Sequence, residues 1–204
     1  LAALALGALL VACGGGVGTG GTGGAIAYTA GPIGGFGSVI VNGIRFDDGD
    51  ARIELEDGGT LRRADLGLGM MVEIESGAIA AGADPTSSAR RIHVASALVG
   101  PVTARDAGAG TLQVLEQPVR ITPATVYAAS LPNGFASIRD SDVLEVHGFH
   151  DAATASVVAT RIERRLVEPR AYKLRGVVRA LDAAARTFTI GAATFRYDDP
   201  IAPV

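Results

Sequence analysis

The sequence predicts an all-β chain built from tandem small barrels. Three observations carry that expectation. From about residue 25 onward, short β-branched runs alternate with Gly, Asp and Asn turn signals, the pattern of half-buried strands. Long stretches of helical periodicity are missing, and the Ala-rich segments 78–83 and 152–155 are too short and broken to be more than loops. The strand pattern also recurs, with a period of roughly seventy residues.

Each copy opens on a strand marked by Gly31-Pro32-Ile33, Gly100-Pro101-Val102 or Gly176-Val177-Val178. A hairpin follows. In the first copy it runs Ser38-Val39-Ile40-Val41, then Asn42-Gly43, then Ile44-Arg45-Phe46-Asp47-Asp48. Asn-Gly is the pair that a two-residue type I′ turn prefers, because both central residues need positive φ. The third copy answers with Thr187-Phe188-Thr189-Ile190, a Gly-Ala turn and Phe195-Arg196-Tyr197-Asp198-Asp199, a pentapeptide that aligns with Ile44 to Asp48. The middle copy is looser, from Thr111 to Leu115 and then Val119 to Tyr127.

The first two copies continue with a fourth strand, Met71-Val72-Glu73-Ile74 or Val143-Leu144-Glu145-Val146, with Gly77 or Gly148 soon after. A fifth carries Ala89-Arg90-Arg91-Ile92 or Ala159-Thr160-Arg161-Ile162. Apolar and polar residues alternate along these strands, as in sheets with one buried face. Five short strands with a longer, partly helical link between the third and fourth predict an OB-like barrel. The expected boundaries are 25–98 for the first repeat, 99–168 for the second and 169–204 for a partial third. The third copy reaches Val204 after its third strand. Either it is a fragment of a longer repeat, or its strands add to a neighbour. A bare three-stranded sheet invites pairing at its edge.

The first 24 residues have a different texture. Residues 1–12 are almost wholly apolar. They are too few to span a bilayer, which takes about 20 residues, but they suit the apolar core of a signal peptide. No Met or basic segment stands before them, so a few N-terminal residues are expected to be missing. The run ends in Leu10-Val11-Ala12-Cys13, which resembles the lipobox of bacterial lipoproteins. The resemblance implies that Cys13 is lipidated and residues 1–12 are removed. With Gly14 rather than Asp next, it also implies the outer membrane, facing the periplasm, if the organism is Gram-negative. Cys13 is the single cysteine, so no disulfide is expected. Residues 14–24 are Gly-rich and read as a flexible tether lifting the folded part roughly 20 Å from the membrane. Gly18-Thr19-Gly20-Gly21-Thr22-Gly23 fits the dinucleotide-binding pattern only as a glycine tract does, with no strand before it or helix after it.

The glycine and turn pattern Gly35-Phe36-Gly37-Ser38-Val39-Ile40-Val41-Asn42-Gly43, the fourth strand from Gly69 to Ile74 and the Ala-x-Arg-Ile strand together resemble a family of tandem domains of unknown function in bacterial envelope lipoproteins. The resemblance covers nearly all of residues 31–199. It implies OB-like domains and an envelope location, and it transfers no catalytic set.

Composition narrows the partners. A net charge of −3 argues against nucleic-acid binding, which needs Lys and Arg to neutralise phosphates. Phe36, Phe46, Tyr127 and Tyr197 are a thin supply of stacking rings for single strands. Two clusters invite a metal. His147-Gly148-Phe149-His150-Asp151 offers His147, His150 and Asp151 as ligands, with His93, Asp140 or Asp142 to complete a set. The other reading places them as exposed turn and strand-edge residues. Asp47, Asp48 and Asp50, with Glu54, Glu56 and Asp57, present hard oxygens of the kind calcium takes, or simply a charged, solvated hairpin end.

Catalytic patterns are sparse. There is no Gly-x-Ser-x-Gly elbow, and Ser38 lies in a strand signal. Glu73 with Glu75, and Glu54 with Glu56, share strand faces at i, i+2 and would act as acid and base only in a cleft. The expected function is therefore a non-catalytic, lipid-anchored envelope binding or scaffold protein without a cofactor, whose partners are the membrane through Cys13 and an envelope protein or glycan. The alternative is a metal- or small-ligand-binding periplasmic lipoprotein using the His147/His150 region. A hydrolase of envelope polymers stands third.

Overall fold

A computed structural model describes residues 25–197. The signal-peptide, tether and Cys13 expectations, and the Asp198-Asp199 pair, lie outside the described residues. The chain is all-β, with two closed five-stranded barrels and a third sheet. Among the described residues no helix is long and apolar enough to cross a membrane.

The first barrel uses β1 (Ala27–Gly35), β2 (Val39–Val41), β3 (Ile44–Asp47), β4 (Arg52–Leu55), β5 (Met71–Ser76) and β6 (Thr86–Val94). β1, β2 and β3 form an antiparallel meander. β5 returns to pair with the first half of β1, and β6 pairs antiparallel with β5. β6 then closes the barrel by lying parallel to β3 and to β4. The third strand expected from the sequence is thus split in two. Asp47 accepts a hydrogen bond from the Gly49 N–H at 3.1 Å, and this Asx turn interrupts the strand between β3 and β4.

The second barrel repeats the plan with β7 (Leu98–Asp106), β8 (Thr111–Val114), β9 (Gln117–Arg120), β10 (Val126–Tyr127), β11 (Val143–Asp151) and β12 (Ser156–Arg164). Here β12 closes in parallel on β9 and β10. The partly helical link before the fourth strand is a single 3-10 turn in each barrel, Arg63–Asp65 and Gly134–Ser137. Each barrel has its own apolar core. Phe46, Ile74 and Ile92 are fully buried in the first, as are Leu98, Leu144 and Ile162 in the second. The cores follow from the period-2 pattern, since inward residues of facing strands meet inside a small barrel.

The third repeat holds β13 (Lys173–Leu174), β14 (Val178–Asp182), β15 (Thr187–Ile190) and β16 (Ala193–Arg196). β14, β15 and β16 make a meander like the first three strands of a barrel. β13 leaves it and pairs with β7 of the second barrel, Leu174 opposite Leu98. The register corrects the alignment read from the sequence. Val39 faces Phe46, and Phe188 faces Phe195. Phe195 is therefore the structural counterpart of Phe46, and the Ile-Arg-Phe-Asp-Asp and Phe-Arg-Tyr-Asp-Asp match slides by two residues. A two-residue slide leaves every side chain on its original face, which is why the sequence pattern conceals it.

Asn42 and Gly43 adopt φ of 51° and 78°, as the type I′ turn requires. The equivalent turn in the second barrel uses Leu115 and Glu116 at φ of 52° and 61°, a conformation costly for both side chains.

Candidate functional site

The barrels meet through backbone and polar contacts rather than a shared apolar core. Gly69, at φ of 78°, brings the end of the first barrel's long loop against β12, where a Cβ would collide with the Thr160 carbonyl oxygen. The Thr160 hydroxyl donates to the Gly69 carbonyl at 2.7 Å, and Arg161 Nη1 donates to the Leu68 carbonyl at 3.0 Å. His147 sits between the barrels, 1% exposed. Its Nδ1 lies 3.3 Å from the Met71 N–H and 3.1 Å from the Ala95 carbonyl. The ring nitrogen serves one of these at a time, accepting when bare and donating when protonated. Burial pushes the imidazole below its ordinary value, against the opposing pull of Glu145 and the Ala95 carbonyl.

That geometry corrects the expectation for His147, which is neither a surface turn residue nor a free metal ligand. Its neighbours explain why the sequence misled. His147 keeps the outer face that alternation gives it beside Glu145, and it is buried because the first barrel packs on that face. His150, further along β11, is exposed. Asp151 serves the next turn, accepting from the Ala153 N–H at 3.0 Å and the Thr154 hydroxyl at 2.8 Å. Those bonds, with Arg120 nearby, hold its carboxyl below the usual carboxylate range. Asp140 and Asp142 pair with Arg105 and Arg164. Among the described residues, no three His, Cys, Asp or Glu side chains converge to hold a metal.

The acidic run of the first barrel is likewise dispersed. Asp47 and Asp57 cap turns at Gly49 and Gly59. Asp48 is buried, and the Arg63 guanidinium at 2.7 Å offsets its charge. Glu54 pairs with Arg52 and Arg91. Glu56 is gripped by Lys173 and Arg175 of the third repeat. Burial alone would raise the Glu56 carboxyl, but the Lys173 hydrogen bond and the two cations prevail and lower it. Ser38 lies in the turn between β1 and β2. Phe46 is in the core, Phe36 is exposed, and Tyr127 and Tyr197 are half-buried in different repeats, so these rings form no common stacking face.

What the fold does build is a cleft of about 740 Å³ beside the His147 junction. One wall is the outer face of the first barrel. Two cross-strand rows run across β1, β5, β6 and β4, Tyr28-Glu75-Arg91-Arg52 and Ala30-Glu73-His93-Glu54. Arg91 ties the wall together, 3.4 Å from Glu75 and 3.7 Å from Glu54. His150 and Val157 of the second barrel form the other side, and Arg175 to Val177 form the rim. Tyr28 stands 65% exposed at the cleft. Glu73, Glu75, His93 and His150 were all visible as residues in the sequence. Their convergence was not, because it depends on how two separate domains pack.

Comparison with known proteins bears on the second barrel. Residues 99–163 match a family described as a domain of unknown function, DUF5666. The matched segment starts one residue after β7 begins and stops one residue before β12 ends, so the family's unit coincides with one closed barrel. No curated protein and no solved structure matches the chain.

Proposed function

We propose that this chain is a non-catalytic envelope lipoprotein, anchored through Cys13 and tethered by its Gly-rich segment, that binds a glycan in the cleft between its first two barrels. The cleft carries this reading. Its volume lies in the range of small-ligand sites, and its wall combines an exposed aromatic ring with alternating carboxylates and guanidinium groups. A tyrosine ring gives a sugar's C–H face an apolar platform, while its hydroxyl stays wet. Glu75 and Arg91, side by side in one row, offer acceptor and fork donor to neighbouring sugar hydroxyls. The strand order of each barrel supports the OB-like reading, a fold class that takes oligosaccharides as well as nucleic acids.

The placement of the carboxylates favours binding over cleavage. Glycoside hydrolysis needs two carboxyl groups flanking the scissile bond. Glu54, Glu73 and Glu75 all lie on one wall. The metal alternative loses its central ligand, because His147 is committed to the barrel junction.

The test is calorimetric titration of the whole chain with soluble peptidoglycan fragments and with neutral oligosaccharides. Saturable binding that Tyr28→Ala weakens about tenfold or more, the loss of one stacked ring, supports the cleft. Binding unchanged in Tyr28→Ala and Glu75→Gln removes it. Incorporation of labelled fatty acid by the wild type and not by Cys13→Ala tests the anchor separately.

A further inference from the structure

The cleft wall holds three carboxylates, and two of them are already matched. Glu54 pairs with Arg52 and Arg91, and Glu75 shares Arg91. Arg175 at the rim is held by Glu56. Glu73 stands among these groups, exposed on β5, with Ala30 opposite it on β1 and His93 opposite it on β6. Among the described residues Glu73 makes no hydrogen bond or ion pair. Residues 1–24 and 198–204 contain no Lys, Arg or His to supply one.

The balance of the wall selects the charge of its ligand. The two guanidinium groups that line the cleft, Arg91 and Arg175, already face carboxylates. An anionic sugar therefore finds no unengaged guanidinium there and meets Glu73 as a like charge, which costs affinity. Glu73 calls for the opposite sign. The small Ala30 side chain leaves room beside it, and Tyr28 is its diagonal neighbour across the strand pair, about 7–8 Å away along the sheet. An ammonium group set against Glu73 thus lies within reach of the exposed Tyr28 ring, whose face attracts a cation. On the basis of the glycan site proposed above, we infer that the glycan carries a free primary ammonium group, which Glu73 binds as an ion pair beside the Tyr28 ring. Two sources share that chemistry: the amine of a de-N-acetylated amino sugar, and the side-chain amine of a peptide attached to the glycan.

Calorimetric titration of the whole chain at neutral pH with two matched pairs of probes tests this. One pair is glucosamine hexamer and N-acetylglucosamine hexamer. The other is a peptidoglycan fragment with a free side-chain amine and the same fragment acetylated at that amine. The free amine is expected to raise affinity about tenfold in at least one pair, the combined contribution of an exposed ion pair and a cation–π contact. The pair that responds identifies the source of the amine. Glu73→Gln cuts the preference to about threefold or less, the share left to the ring, and leaves the affinity of the acetylated probe unchanged. Asp84→Asn, an equal loss of charge in an exposed loop outside the cleft, preserves the preference. Equal affinities within both pairs, or a preference that survives Glu73→Gln, overturn the role of Glu73 and leave the glycan site standing. Absence of binding by all four probes removes the glycan site as well.

Discussion

The closed barrels and the third sheet start from the same meander and end in different states. Val39, Phe46, Leu112 and Val119 face the inside of a sealed barrel. Phe188 and Phe195 occupy the same positions and, among the described residues, stay only half-buried. The meander supplies the apolar face, and the fourth and fifth strands supply the burial. In such a chain, stability belongs to the closing hairpin more than to the hydrophobicity of any one strand. A residue's energetic weight then depends on which repeat it occupies, even where its local sequence is nearly the same.

Substitution at equivalent positions puts the largest strain on that contrast. Phe46→Ala is expected to cost about 3–5 kcal/mol, as for a fully buried ring, while Phe195→Ala costs about 1 kcal/mol or less. Urea unfolding of the whole chain, followed by exchange at each sheet, separates the two. Equal losses at both positions would mean that the third sheet is already covered.

The junction comes next. Gly69→Ala forces a side chain into a left-handed backbone and against the Thr160 carbonyl, at an expected cost of about 2–3 kcal/mol. The two barrels should then unfold in separate transitions, while the third sheet is untouched. A single unshifted transition would show that the barrels do not depend on this contact.

Acid acts on the same junction more gently. The folded His147 holds its proton less tightly than an unfolded histidine does. Below the ordinary imidazole value of about 6.5 the unfolded chain therefore binds more protons, and stability falls as pH drops. Above that value the contribution is fully present. Melting temperatures between pH 7.5 and 5 should decline in the wild type and flatten in His147→Gln. Parallel curves for the two proteins would show that another group carries the acid response.

The smallest effect is a gain. Glu116→Gly relieves a positive φ in the second barrel's hairpin turn and should stabilise that barrel by about 0.5–1 kcal/mol. The analogous Gly43 in the first barrel already enjoys this, so the change brings the two barrels' turns into line. A rise in the denaturation midpoint without a change in slope is the readout.

Much of the fold was legible in the sequence, because it rests on local signals. The Asn42-Gly43 turn, the alternation along Met71 to Ile74 and the repeated Gly-Pro opening each specify a strand or a corner without reference to distant residues. The split of the third strand was missed because Asp47 reads as part of a strand until its side chain is seen to cap Gly49. The site was far less legible. His147 and His150 look like a pair in the chain, yet the first barrel packs over the first and leaves the second at the cleft. Tyr28, Glu75 and Arg91 come from three strands and meet only through register, which a single strand's pattern cannot announce.

Closure by the last strand sets the order of events during folding. The first barrel opens at Ala27 and is sealed only when β6, ending at Val94, lies beside β3. Its decisive contacts are distant in sequence, and such contacts form slowly. A chain emerging residue by residue during synthesis therefore carries an unsealed barrel until nearly the whole repeat is out. The β15–β16 hairpin forms from immediate neighbours and has no such wait. The third sheet is thus quicker to assemble than either closed barrel, although it stands after both in the chain.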